Sequence, residues 1–406
     1  MTGTNATKQL HIVYVWDADY PWDVRAEKSC LALTEAGHDV HIVARNRKQS
    51  PIIETLPEGT VHRMAPWRWA GRKLDAALGF PAFFNPRWRK LIASTAREVH
   101  ADVIIARDLP LCPTAISVGR DLRIPVVLDM AEHYPAMIRA IWQTGRHRPL
   151  DWLVRNPAAV EQVEKYCVRH ADHILTVADE MTERLVALGA KRSRITRVSN
   201  TPSVVRATPR SLPRNDDGRI QLVYLGLMEI VRGIGNLIDA VALLRDTRPR
   251  VVLLLIGGGR DEQLFRDRVK THGLTGEDVV FMGHVPYTQA IELVATADIG
   301  VLPLHRNAHM DTTLPNKLFD YMSVGLPVIT SDTIPSARIV RAEDAGIVFE
   351  AENARSLADA VTSLADPATR HRMGARGRNA VERQYNWLHD AEQLVNAITN
   401  VGFGHE

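Results

Sequence analysis

A lysine and an aspartate stand three residues apart, Lys317 and Asp320, in the run PNKLFDYMSVGLPVITSD. That spacing places both on one face of a short helix that opens at Pro315-Asn316 and stops at Gly325. A cation in the first turn opposes the helix dipole, so a helix that only covered a sheet has no use for Lys317 there. An anion at that end removes the conflict, because first-turn amides and the ammonium then converge on it. Pro315 suits the start, where its missing N–H costs nothing. Lys317 and Asp320 lie about 4.5 Å apart along the axis, the step from a diphosphate to the adjoining ribose. Lys317 with the amides around Asn316 would hold the diphosphate, and Asp320 the ribose hydroxyls. The bland reading is an intrahelical ion pair on a wet surface.

Other candidates follow strand-like runs. In LVYLGLMEIVRGIGNLIDAV a strand ends at Gly226 and Arg232-Gly233 precede a helix. Arg232 offers a fixed fork of donors for phosphate, or is a solvated loop residue. Gly233 and Gly235 suit close backbone approach by a ligand. LLLIGGGRDEQL carries Gly257-Gly258-Gly259 at a strand end, a tight turn with Gly258 at its centre. In the first half, IPVVLDMAEHYP sets Asp129, Glu132 and His133 after a strand, where one could take a proton from an acceptor hydroxyl. Glu132 is the favoured base and His133 the second; His133 as a capping or packing residue is the alternative. WDADYPWDVRAEK makes Asp23 and Arg25 ligand-facing candidates as well. Asp17-Ala18-Asp19 has a metal-binding spacing but no further ligand cluster beside it, so a loop or site-lining role is expected, and no metal.

These residues need strand ends to stand on. Short apolar runs alternate with longer amphipathic stretches, which predicts parallel sheets covered by helices. LHIVYVW, DVHIVAR, TVHRM, ADVIIAR, IPVVLDM, DHILTV and RITRVSN read as strands in the first half. A helix from Arg25 to Ala36 ends on Gly37. IQLVYLG, RVVLLLIGGG, VVFMG, ADIGVLPL, LPVITS and GIVFE restart the pattern in the second half. Helical patterns at Ala354–Tyr385 and His389–Val401 close the chain. The fold class is therefore α/β: two doubly wound Rossmann-like domains, 1–203 and 220–385. Residues 204–219, rich in Pro, Ser and charge, read as a linker. The helix in 386–406 is expected to cross back to the first domain. Ligands in such sheets bind outside the strands' carboxyl ends, so the cleft between the domains is the expected site.

Bulk properties agree. The chain has 406 residues, 45% hydrophobic and 24% charged, long enough for two cores. A formal charge of +3 supports no claim of nucleic-acid binding. Three scattered cysteines, Cys30, Cys112 and Cys167, point to buried thiols in a reducing compartment. The start lacks an apolar signal core and no apolar run reaches the ~18 residues of a membrane span. A cytoplasmic location is expected. In APWRWAGRKLDAALGFPAFFNPRWRKLI, Trp67, Trp69, Phe80, Phe83, Phe84 and Trp88 interleave with Arg68, Arg72, Lys73, Arg87, Arg89 and Lys90. Rings with flanking cations suit an anionic membrane surface through 67–90, on its inner face, unless the rings are core.

Taken together, these motifs resemble the retaining glycosyltransferases of family four, which have the GT-B architecture. YLGLMEIVRG is similar to that family's phosphate loop, with Arg232 in the place of its Lys. GHVPYTQAIELVATADIGVLPL and LPNKLFDYMSVGLPVITSD resemble its strand-helix-strand and donor motifs, and GHDVHIV and ADHILTVADEMTERLVALGA also fit. The resemblance implies a nucleotide diphosphate sugar, UDP- or GDP-linked, held mainly by the second domain. It implies a glycan or polyprenyl-linked acceptor held by the first, and retention without a required metal or cofactor. Arg232 and Lys317 would then take the diphosphate, Asp320 the ribose, and backbone near Val285 the base. Departures stand at Thr312, where many members carry an acid that touches the donor sugar, at Ala131 in place of His, and at Leu227 in place of a basic residue. Asp311 is acidic but out of register. A sugar-nucleotide epimerase and a catalytically silent glycan-binding subunit are the competing readings.

Overall fold

The computed structural model describes residues 9–21, 23–66, 75, 83–143, 156–203 and 218–404. Most of the expected linker, 204–217, and Trp67, Arg68, Trp69, Arg72, Lys73 and Phe80 lie outside the described residues.

The chain divides into two compact units, residues 1–198 with 390–406, and residues 199–389. In the first, β1 (His11–Asp19), β2 (Asp39–Arg45), β3 (Ile53–Leu56), β4 (Gly59–Arg63), β5 (Val103–Arg107), β6 (Val126–Met130), β7 (His173–Thr176) and β8 (Ile195–Arg197) form one sheet. Its order is β3-β4-β2-β1-β5-β6-β7-β8. All neighbours are parallel except β3 and β4, which pair antiparallel. In the second, β9 (Ile220–Leu225), β10 (Val251–Ile256), β11 (Val279–Gly283), β12 (Ile299–Leu302), β13 (Val328–Ser331) and β14 (Gly346–Phe349) run in the order β11-β10-β9-β12-β13-β14, all parallel.

Both sheets are doubly wound, as the alternation requires. β5, VIIAR, and β10, VVLLLI, are buried at every position, as strands covered on both faces must be. One core gathers Trp88, Ile92, Ile104, Leu128 and Met181. The other gathers Tyr224, Leu237, Leu253, Phe265 and Val301.

Three features depart from the sequence reading. β3, IETL, is a half-exposed edge strand without an apolar run. The single long helix expected over Ala354–Tyr385 is two, Ala354–Ser363 and Pro367–Arg383. Asp366 caps the second, accepting from the amides of Ala368 and Thr369, and Pro367 opens it. Trp88 is a fully buried core residue, so it offers nothing to a membrane, whereas Phe84 is exposed and edges toward Tyr166. Arg87 pairs with Asp75, and Arg89 with Asp121.

Candidate active site

Helix Asn316–Ser323 shows why its sequence reads as it does. Leu318, Phe319, Tyr321 and Met322 are buried, which leaves Asn316, Lys317 and Asp320 on the remaining face. Tyr321 pins the helix to the sheet: its hydroxyl accepts the Leu225 amide at 2.8 Å. A β-carbon at Gly300 would meet the Tyr321 ring at 2.4 Å, so only glycine lets the helix lie this close. Pro315 is the residue before the helix rather than its first turn, and no side chain caps the first-turn amides.

Lys317 does not reach Asp320. Its ammonium lies against the backbone at the end of β9, where a β-carbon on Gly226 would stand 2.2 Å from Nζ. It also sits 5.2 Å from the centroid of the Tyr224 ring, a cation–π contact. No hydrogen bond or ion pair holds Lys317 Nζ among the described residues. Burial first and Arg232 second lower its pKa to about 7, against the opposing pull of Asp320 and Glu229. The wet-surface pair is therefore not what the structure contains.

Arg232 ends a turn of 3-10 helix, Ile230–Arg232, beyond β9. Its Nε is buried without a hydrogen-bond partner, and no ion pair engages the side chain among the described residues. Two cations thus repel each other in a partly dry place, with no protein anion bonded to either. A nearby anion would favour the charged form of both.

Glycines let the surrounding loops pack. Gly226, at φ +138°, donates to Ile256 O at 2.8 Å. The carbonyl of Gly258 accepts from Met228 N at 3.0 Å. Gly233 was expected to admit a ligand; instead Pro303 O occupies that space, 1.6 Å from where a β-carbon would be.

Asp320 is buried, and its Oδ1 accepts the Tyr287 hydroxyl at 2.8 Å. Tyr287 opens helix Tyr287–Thr296, just after the half-buried Val285. Asp311 caps a neighbouring helix through Ile334 N at 3.1 Å and pairs with Arg306 at 3.2 Å. It is thereby occupied, and Thr312 turns its hydroxyl to Ala308 O at 2.9 Å. His309 is half-buried near Arg232; desolvation first, then that charge, holds its pKa at about 4, so it is neutral. Tyr287, His309 and Glu229 were missed in the sequence: His309 and Glu229 stand outside the regular helices and strands with no period to flag them, and Tyr287 shows only as the first residue of a helix.

The first unit corrects several expectations. Arg25 and Asp129 do not face a ligand. They are 5% and 1% exposed and paired at 2.6 Å. Tyr14 donates to the same carboxylate at 3.1 Å, and Arg25 donates to Val198 O at 2.8 Å. Burial pushes the Asp129 carboxyl up, but Arg25 and Arg107 outweigh it and leave it below the usual range. Asp23 caps helix Val24–Glu35, accepting from Ala26 N at 2.8 Å. Asp19 binds Arg47 at 2.8 Å, and Asp17 has Arg45, Arg107 and Arg47 as its charged neighbours. Arginines therefore take the place a cation would need beside this pair.

At the carboxyl ends of β5 and β6, Asp108 accepts the Ala131 amide at 3.1 Å and faces Arg107 at 2.6 Å. Burial raises the Asp108 carboxyl to about 7 against the pull of Arg107, with Glu132 and Asp129 adding to the rise. Glu132 is half-buried beside it, and His133 is buried at the head of helix Tyr134–Gln143. Asp108, at φ +59°, gave no motif signal in the sequence.

Comparisons with known proteins agree with this architecture. Residues 206–380 match the family model of glycosyl transferases group 1, and residues 23–201 that of the glycosyl transferase 4-like domain. Glycogen synthase of Mycobacterium tuberculosis is 26% identical over 371 residues, 88% of this chain and 85% of the relative. A GDP-mannose-dependent monoacylated alpha-(1-6)-phosphatidylinositol monomannoside mannosyltransferase of Corynebacterium glutamicum is 31% identical over 170 residues, 41% of this chain and 44% of the relative. Among solved structures, sucrose-phosphate synthase from Thermosynechococcus elongatus has a TM-score of 0.75 at 19% identity, covering 96% of this chain and 98% of that one. Anabaena Alr3699/HepE in complex with UDP and glucose has a TM-score of 0.72 at 12% identity, covering 97% and 100%.

Proposed function

The chain belongs to the family-four glycosyltransferases of GT-B architecture, and from that premise we propose which transfer it performs. It moves a sugar from a nucleotide diphosphate sugar to a glycan or lipid-linked acceptor, with retention at the anomeric carbon and no metal in the transfer step. The product belongs to a surface polysaccharide or glycolipid. The observation that carries this reading is the pair Arg232 and Lys317, two cations with no bonded counter-ion among the described residues, beside a helix start that no side chain caps.

In the reaction, negative charge grows on the departing diphosphate. Arg232, Lys317 and the first-turn amides of Asn316 and Lys317 would stabilise that charge in place, and preorganised charge is usually the largest catalytic contribution. Asp320 would turn its carboxylate to the ribose hydroxyls, sharing or releasing Tyr287. The backbone at Val285 would border the base, and Gly226, Gly258 and Pro315 would shape the loops around the diphosphate. A named relative uses GDP-mannose and a structural neighbour holds UDP, so both bases stand as candidates. In a front-side retaining path the leaving phosphate itself would take the acceptor proton; Glu132 is the first and His133 the second candidate to help.

No helix among the described residues is long and apolar enough to cross a membrane. We place the enzyme in the cytoplasm, meeting a polyprenyl-linked acceptor at the membrane's inner face. The test of function is a panel of UDP- and GDP-sugars with and without EDTA. Slow donor hydrolysis or transfer that survives EDTA is expected. An altered free sugar nucleotide would mean epimerisation, and strict metal dependence would remove the proposed mechanism.

A further inference from the structure

The first sheet carries a second group of chemically competent side chains, at the edge opposite its carboxyl ends. His11 starts β1 and Asp39 starts β2, and the two are paired in register. His41 follows two residues later on β2. His11 Nδ1 lies 3.0 Å from Asp39 Oδ2, and His41 Nε2 lies 3.1 Å from the same oxygen. The three ligand atoms all fall within 4.8 Å of one another.

We infer that His11, Asp39 and His41 form a binding site for a divalent transition metal of the zinc class. Four-coordinate zinc, with Zn–N and Zn–O near 2.0–2.2 Å, needs ligand atoms about 3.3 Å apart. Those two separations are within a few tenths of that and the third pair lies inside 4.8 Å, so rotamer adjustment can bring the three atoms onto one ion. Two imidazoles and one carboxylate are a donor set such metals favour over calcium or magnesium. His11 and Asp39 side chains are each 40% exposed, which leaves an entry path and room for a water as fourth ligand.

A fourth residue supports the assignment. His62 Nε2 lies 3.1 Å from His41 Nδ1, and His62 is buried. Ligating histidines are commonly oriented by a partner on the other ring nitrogen. With a metal on Nε2, His41 keeps its proton on Nδ1 and donates it to His62 Nε2; His62 then holds its own proton on Nδ1. Without a metal the chain runs the other way: His62 Nε2–H donates to His41 Nδ1, and His41 Nε2–H donates to Asp39. Metal binding therefore reverses both tautomers and releases no proton from either ring. The metal would clamp the starts of two adjacent parallel strands, as a structural staple remote from the reacting groups of this unit.

The test uses the full chain, stripped with EDTA and titrated with Zn²⁺ or Co²⁺ alone. One equivalent of Co²⁺ is expected to give visible d–d absorption, and one equivalent of Zn²⁺ to raise the melting temperature. His11→Ala and Asp39→Ala should each abolish both effects. These are half-exposed positions, and circular dichroism checks that the fold is kept. His62→Gln should weaken binding about 10- to 100-fold, as loss of an orienting partner does. Nitrogen NMR on the wild-type chain reads the His41 tautomer directly, independently of any variant. The inference is overturned if no spectrum or melting shift appears up to millimolar metal. It is equally overturned if both variants bind as the wild type does, or if the His41 tautomer stays unchanged with metal present.

Discussion

Lys317 is the place to test the donor site, because its charge is already under strain in the free chain. Its pKa of about 7 stands some three units below that of an exposed lysine. At 1.36 kcal/mol per unit, holding the charge there costs on the order of a few kcal/mol. The cause is burial first and Arg232 second, and a bound diphosphate reverses the balance. At pH 8 the free side chain is about one-tenth protonated, whereas the complex should be fully protonated, so binding takes up about 0.9 proton. A nucleotide diphosphate sugar suits the assay, since its diphosphate stays ionised throughout.

Calorimetry in two buffers at pH 8 should give binding enthalpies that differ by about 0.9 of the difference between the buffers' ionisation heats. Affinity should fall roughly tenfold per pH unit above 7. Lys317→Met should lose about 10- to 100-fold in affinity, the range for a charge-assisted hydrogen bond. It should lose the buffer dependence as well. In the absence of ligand the sign is opposite. The folded chain binds fewer protons than the unfolded one between about pH 7 and 10, so stability rises with pH across that window. Lys317→Met should then melt higher than wild type below pH 7, and the difference should shrink toward pH 10. Equal heats in both buffers, a flat affinity from pH 7 to 8.5 and unaltered binding by Lys317→Met would refute the reasoning.

Three further outcomes follow from the same structure. Asp320→Asn should weaken nucleoside diphosphate binding about 10- to 100-fold and leave inorganic pyrophosphate unchanged, while Tyr287→Phe, which removes the hydroxyl that donates to Asp320 Oδ1, should not weaken either; competition titrations check both. Asp129→Ala removes the carboxylate paired with buried Arg25, so chemical denaturation should show a loss of about 3–5 kcal/mol. In the wild-type chain, the lowered Asp129 pKa contributes stability that is present above about pH 4 and fades as pH falls through the folded value. Asp108→Asn keeps a residue that tolerates positive φ and removes a carboxyl raised to about 7; the folded chain binds more protons between about pH 4 and 7, so wild-type stability falls with rising pH there, and the variant should gain melting temperature at pH 8 and little at pH 4.

Period and punctuation carried the fold. Runs such as VVLLLI and VIIAR announce buried parallel strands because an apolar stretch of that length has few other homes. Edge strand IETL has no such signature, since half its surface stays wet and its partner supplies the order. The Asp366-Pro367 cap was hidden because amphipathic period runs through it on both sides. Charged residues were harder, for a physical reason. Arg25 reads as available when only its neighbours in the chain are known, but its partner lies 104 residues away on β6. The bland alternative for Lys317, half of a local pair, fails because its ammonium lies at the end of another strand, beside Gly226.

The two cases separate on one criterion, whether the fold supplies the opposite charge. Asp129 answers Arg25 at 2.6 Å and accepts from Tyr14 as well, so that pair is closed and its work is structural. Arg232 and Lys317 have no bonded counter-ion among the described residues, and a chain that folds around two unanswered cations forgoes stability it could regain by one substitution. Such a cost persists where the missing partner arrives from solution, as the diphosphate of a sugar nucleotide does. The pKa of Lys317 and the orphaned Nε of Arg232 are thus two measures of the same vacancy in charge, and one ligand should correct both.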